Sequence, residues 1–137
     1  MYTQIMAPVD LAHLDQLDKA MKTAADLALH YKIPVCYVGV TAPAPSQIAH
    51  NPAEFAQKLD AFANNQAQAH GHEATAKAYT SHDPASDLDD TLFKAVDEIG
   101  ADLVVMATHV PTIADYVWPS NGGKIAAHAR TSVLLVR

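Results

Sequence analysis

Short apolar runs alternate with amphipathic stripes along the chain, and few folds accept that order. The clearest runs cover residues 5–9, 35–40, 103–106 and 132–136. Each is bounded by polar or turn-forming residues, as expected of strands covered on both faces. Residues 74–80 read as a further strand with weaker alternation. Between the first two runs, Leu17, Ala20, Met21, Ala24, Leu27, Ala28 and Tyr31 recur at three- and four-residue spacing, predicting a helix over 15–31. A second helix is expected from Pro52 or Ala53 to near Gly71, with Phe55, Leu59 and Phe62 on one face. A third, capped by Asp83 or Ser86, should run through Leu88, Leu92, Ala95, Val96 and Ile99 and stop at Gly100. A fourth should begin at Ser120-Asn-Gly-Gly123. Strand and helix in strict alternation predict an α/β fold with a parallel sheet and helices on both faces.

At 137 residues the chain is expected to form one domain over 1–137. Half of it is hydrophobic, which excludes disorder, but aromatic residues supply only 7 %, so Ala, Val, Leu and Ile must build the core. The formal charge is −6, from nine Lys and Arg against fifteen Asp and Glu. With no basic run, a nucleic-acid surface is not expected. Cys36 is the only cysteine, which leaves no intramolecular disulfide and no cysteine-rich zinc site; inside Val35-Cys-Tyr-Val-Gly-Val40 it reads as a core residue. The N-terminus lacks the basic start and apolar stretch of a signal peptide, and no segment is long enough to span a membrane. A cytoplasmic protein without a membrane partner is the expectation.

In an open parallel sheet, ligands bind beyond the carboxyl ends of the strands, where the strand order reverses. The loops after the first and fourth strands are the candidates, and they carry Asp10 and Thr108-His109-Val110. The helix start at Ser120, Asn121, Gly122 and Gly123 offers free N–H groups and the positive end of a helix dipole to an anion. Two readings stand side by side there: an anion-binding turn, or an N-cap followed by glycines that let the helix pack closely.

Ile5-Met-Ala-Pro-Val-Asp10 resembles the first-strand signature of universal stress proteins. Gly100-Ala-Asp-Leu-Val-Val-Met-Ala-Thr-His109 and Ser132-Val-Leu-Leu-Val-Arg137 resemble that family in the same way, most strongly over 1–40 and 100–137. The resemblance implies a five-stranded parallel sheet of order 3-2-1-4-5, a Rossmann-like fold of the adenine-nucleotide alpha-hydrolase type. It also implies a homodimer through the last strand, Ser132 to Val136, which as an edge strand invites pairing in any case. Many members bind ATP, and the implied ligand is ATP or AMP, with Asp10 and Val40 at positions that touch ribose and adenine in nucleotide-binding relatives. Their loop after the fourth strand has Gly, two residues, Gly, nine residues, then Gly with Ser or Thr, because phosphates approach the backbone where no Cβ intervenes. Ala107 and Val110 stand at the first two positions and Pro119-Ser120 falls one residue short of the third, so all three glycines are missing and the serine remains. Gly122-Gly123 would then have to supply a displaced anion-binding turn.

Eight histidines invite a metal reading. His70-Gly-His72 with Glu73 has too few convergent ligands for zinc and reads as a solvated helix end. His82 and His109 fall on loops at the carboxyl edge, with His109 read as a neutral residue holding its loop. Asp87, Asp89 and Asp90 complement the dipole of the third helix. Trp118, with Tyr116 and Val117, either covers the pocket or packs at a subunit contact. No catalytic group and no metal ligand is assigned. Three functions follow in order: a dimeric, non-enzymatic regulator sensing an adenine nucleotide or another phosphate-bearing ligand; a dimeric interaction module with an unknown protein partner that no longer binds nucleotide; and a slow nucleotide hydrolase, ranked last because the sequence lacks a Walker lysine motif and offers no convincing general base or metal pair.

Overall fold

The computed structural model describes residues 1–107 and 130–137. In chain order they form β1 (Ile5–Pro8), a 3-10 segment (Leu11–Gln16), α1 (Asp18–Tyr31), β2 (Val35–Thr41), α2 (Pro52–His70), β3 (Ala74–Thr80), α3 (Pro84–Ile99), β4 (Leu103–Ala107) and β5 (Ser132–Val136). The five strands make one parallel sheet in the order β3-β2-β1-β4-β5. The expected architecture is therefore present. The fourth helix, begun at Ser120 in the sequence reading, lies outside the described residues.

Alternation along the strands divides the core in two. Ile5, Ala7 and Val9 of the first strand and its exit, with Val35 and Tyr37, and Leu103, Val105 and Ala107, pack with Leu17, Ala20, Met21, Ala24 and Ala28 from the α1 side and Phe55, Leu59 and Ala63 of α2. Met6, Cys36, Val38, Val104 and Met106 point the other way and pack with Leu92, Ala95 and Val96 of α3. Side chains on a strand alternate between faces, so α1 and α2 cover one face and α3 the other. Cys36 sits in the second cluster, and burial pushes its thiol up, away from reactivity.

Local chemistry fixes the helix ends. Asn51 caps α2 by accepting from the Glu54 N–H at 2.8 Å, Pro52 follows at the first turn, and Gly71 ends the helix at φ 81°. Asp83, rather than Ser86, caps α3, accepting from the Ser86 N–H at 3.3 Å; Gly100 ends it at φ 71°. The helix expected over 15–31 starts three residues later, because a 3-10 segment occupies the turns before it. At the outer edge of the sheet, Glu98 of α3 accepts from the Tyr79 hydroxyl at 2.6 Å and pairs with Lys77 at 3.0 Å, tying α3 to β3.

The reading of His70-Gly-His72 as a solvated helix end is corrected at one residue. His72 is buried, 7 % exposed, and its Nε2 lies 2.9 Å from the Tyr37 hydroxyl. The left-handed turn at Gly71 brings the chain back under the sheet and delivers the ring to the core. Among the described residues, no three His, Cys, Asp or Glu side chains converge as a metal site.

Candidate functional site

The sheet reverses its winding between β1 and β4, the place where a doubly wound sheet opens a crevice. Pairing runs Ile5 with Val35 through Pro8 with Val38, and the Val9 N–H then donates to the Val38 carbonyl at 2.8 Å. Asp10 thus leaves β1 beside the level of Val40. On the other side Met6 pairs with Val104, which sets Ala107 level with Val9. Asp10, Val40 and Ala107 accordingly gather at the carboxyl ends of three adjacent strands. Val40 is half-buried and, two residues after Val38 on the same strand, shares its α3 side by alternation; Ala107 is buried on the side of α1 and α2.

Asp10 is held by its own loop. Its Oδ1 accepts from the Ala12 N–H at 2.9 Å, capping the 3-10 segment, and its Oδ2 lies 2.8 Å from His13 Nδ1. The two side chains are 22 % and 28 % exposed, so the carboxylate is anchored yet open to solvent. The sequence reading did not single out His13. Its signal was the Asp10-x-x-His13 spacing, which carries no hydrophobic period and so leaves no mark in a helical or strand pattern.

The loop from β2 to α2 leaves from the same end of the sheet. Ser46 Oγ accepts from the N–H groups of Ile48 and Ala49, both at 3.2 Å, while the Ser46 N–H donates to the Ala49 carbonyl at 2.8 Å. This small turn inserts Ala49 into the core, and the Lys58 ammonium holds the Ile48 carbonyl. His82, expected near the carboxyl edge, is exposed on the turn after β3. Ser81 beside it is buried, and its hydroxyl donates to Asp87 at 3.0 Å, giving one member of the acidic cluster a structural partner.

The remaining candidates, His109, Val110, Ser120, Asn121, Gly122 and Gly123, lie outside the described residues, as do Thr108, Tyr116, Val117, Trp118 and Pro119. The described part of the site offers a carboxylate acceptor and an apolar strand end, which suit a hydroxyl-bearing ligand with a flat apolar group. Ala107 carries a Cβ where a close phosphate approach would want none. An open hollow of about 550 Å³ lies at the opposite edge, lined by Phe93, Val96, Asp97 and Arg130 among others. It adjoins the amino ends of β4 and β5, the end of a parallel sheet that does not carry the ligand crevice.

Comparison with known proteins gives the same frame. Universal stress protein G of Escherichia coli O157:H7 is 26 % identical over 146 residues, covering 100 % of both chains. The structure of the Archaeoglobus fulgidus universal stress protein in complex with dAMP superimposes with a TM-score of 0.65 at 19 % identity, covering 99 % of this chain and 98 % of that one. A universal stress protein in complex with cAMP gives 0.66 at 21 % identity, with 99 % and 97 % covered. At those identities the structural likeness is one of fold. Among the described residues no helix is long and apolar enough to cross a membrane. The model of the universal stress protein family matches residues 1–137, from the first strand signature to the last, and the chain belongs to that family.

Proposed function

We propose that this chain is a non-enzymatic regulator of the stress response that senses an adenine nucleotide, ATP or AMP, at the carboxyl edge of its sheet. It works as one domain over 1–137 and as a homodimer through β5. The observation that carries the reading is the gathering of Asp10, Val40 and Ala107 beside the point where the sheet reverses. Asp10 accepts from ribose hydroxyls, and Val40 offers an apolar strand end to the base. His109 and Val110 follow the fourth strand, and Ser120, Asn121, Gly122 and Gly123 supply the anion-binding turn in place of the family glycines. The complexes of related proteins with dAMP and cAMP support an adenine nucleotide as the ligand class.

The test is thermal melting against ATP, ADP and AMP, each with and without magnesium. A ligand at 100 times its Kd adds about 2.7 kcal/mol of stability. A saturable rise in Tm that disappears when Gly122 and Gly123 are enlarged supports the sensor. A flat response to all three at millimolar concentration removes it.

A second reading, a dimeric interaction module without a nucleotide, draws on Ala107, whose buried Cβ stands where the usual phosphate loop begins with glycine. It expects no response to nucleotides and a protein partner recovered from nucleotide-depleted extract.

A further inference from the structure

We propose that His13 is a positioning residue for ligand binding, holding the Asp10 carboxylate in the orientation that receives a ribose diol. The proposal rests on the adenine-nucleotide reading above. Asp10 is anchored twice: Oδ1 accepts from the Ala12 N–H at 2.9 Å, and Oδ2 meets His13 Nδ1 at 2.8 Å. The backbone is shaped around the second contact. His13 interrupts the 3-10 segment with φ −135° and ψ 43°, while its N–H still bonds the Asp10 carbonyl at 3.1 Å. Asp10 and His13 therefore form a closed unit at the end of β1, beside the reversal of the sheet.

A carboxylate has about four lone-pair sites, and these two contacts leave roughly half of them for a ligand. Both side chains keep a solvent-exposed part, 22 % for Asp10 and 28 % for His13. An acceptor fixed before the ligand arrives spares the complex the cost of freezing it. The cap at Ala12 alone fixes one oxygen and leaves the plane of the carboxylate free to tilt. The His13 contact fixes the plane. His13 thus acts through Asp10, and its effect belongs to the hydroxyl-dependent part of the binding.

The test compares AMP with 2′,3′-dideoxy-AMP on the full chain by titration calorimetry. Wild type should prefer AMP by roughly tenfold, the worth of a hydrogen bond to a charged acceptor. His13→Ala should bring AMP down to the dideoxy level and leave dideoxy-AMP unchanged. His13→Asn, whose amide nitrogen can stand near Nδ1, should restore most of the preference, and Asp10→Asn combined with His13→Ala should lose no more than either alone. If His13→Ala fails to fold, His13→Phe carries the same comparison. A preference for AMP that survives in His13→Ala, or an equal loss for both ligands, overturns the positioning role while leaving nucleotide binding intact. If wild type binds neither nucleotide at millimolar concentration, the nucleotide reading fails and this proposal fails with it.

Discussion

The Tyr37 hydroxyl and His72 Nε2 lie 2.9 Å apart inside the core, bridging the middle of β2 to the turn that follows α2. Phe62 closes edge-to-face on the Tyr37 ring, with centroids 5.3 Å apart. Burial holds the His72 imidazole below its ordinary protonation range, and the neighbouring His70 adds to the effect. The folded state keeps this ring neutral, whereas the unfolded chain takes up a proton near pH 6.5. Below that pH the unfolded state binds more protons, so stability falls as pH falls and levels off only below the folded value. The slope for one group cannot exceed about 1.4 kcal/mol per pH unit. Urea midpoints from pH 8 to pH 5 should therefore drop more steeply for wild type than for His72→Gln, which keeps a partner for Tyr37 without the titration. Parallel curves would show that His72 is not the group responsible.

Tyr37→Phe tests the same pair from the other side. It keeps the ring contact with Phe62 but leaves Nε2 of a buried histidine unsatisfied, at a cost of about 1–3 kcal/mol. Equilibrium urea unfolding at pH 8 measures it without interference from protonation. A change below about 0.5 kcal/mol, the ordinary scatter of neutral substitutions, would mean that water replaces the hydroxyl at no cost.

Gly39 sets the distance between α2 and β2. A Cβ there would stand 2.8 Å from Phe55 Cζ and 2.9 Å from Cε1, with Leu59 Cδ2 at 3.3 Å. Those atoms are buried, so Gly39→Ala forces the ring and the helix outward. A loss of about 1–3 kcal/mol is expected, as for other overpacked cores. Phe55→Leu shortens the side chain that the new methyl meets, and the double variant should recover part of the loss. A strictly additive pair would argue that the strain lies elsewhere.

Most of the frame was legible because strands covered on both faces leave continuous apolar runs. The first, second, fourth and fifth strands were found within one residue of their ends, and Gly71 and Gly100 marked the helix ends where the backbone turns left-handed. β3 was weaker in the sequence because it is an edge strand, with Thr75 exposed and Lys77 half-buried. The 3-10 segment at Leu11–Gln16 was missed since it buries no residue and so carries no stripe. His72 was misread because its partner Tyr37 is distant in sequence and no local pattern joins them. At the site, topology brought Asp10, Val40 and Ala107 together, which strand order alone could anticipate. The His13 contact depends on a kink that hydrophobic spacing does not encode.

Asp102 ties the N-terminus to the start of β4. Its carboxylate accepts from the Thr3 N–H at 2.9 Å, the Thr3 hydroxyl at 3.0 Å and the Gln4 N–H at 3.0 Å. Burial works against ionisation, but the donors from Gln4 and Thr3 outweigh it and hold the carboxyl below its ordinary range. The depressed value means that the stabilisation is complete above about pH 4 and is lost as pH falls through the folded value. Asp102→Ala should cost about 1–3 kcal/mol at neutral pH and flatten the acid limb of the stability curve. Equal acid sensitivity in the variant would place the lost protonation linkage on another carboxylate.

The last strand offers the test of assembly. β5 lies at the edge of the sheet, and Leu134 and Leu135 on it are 38 % and 45 % exposed. An edge strand with apolar side chains and free backbone groups is a template for pairing, and a charge on it is an effective block. Light scattering at micromolar concentration should give a mass near twice the 14.7 kDa of the chain. Leu134→Arg should weaken association by at least about tenfold, since a buried charge without a partner costs more than 1.4 kcal/mol. The variant should remain folded, because the substituted side chain already reaches solvent in the single chain. A wild-type mass near that of one chain would remove the dimer from the proposed function. A dimer unaffected by Leu134→Arg would move the interface to another surface.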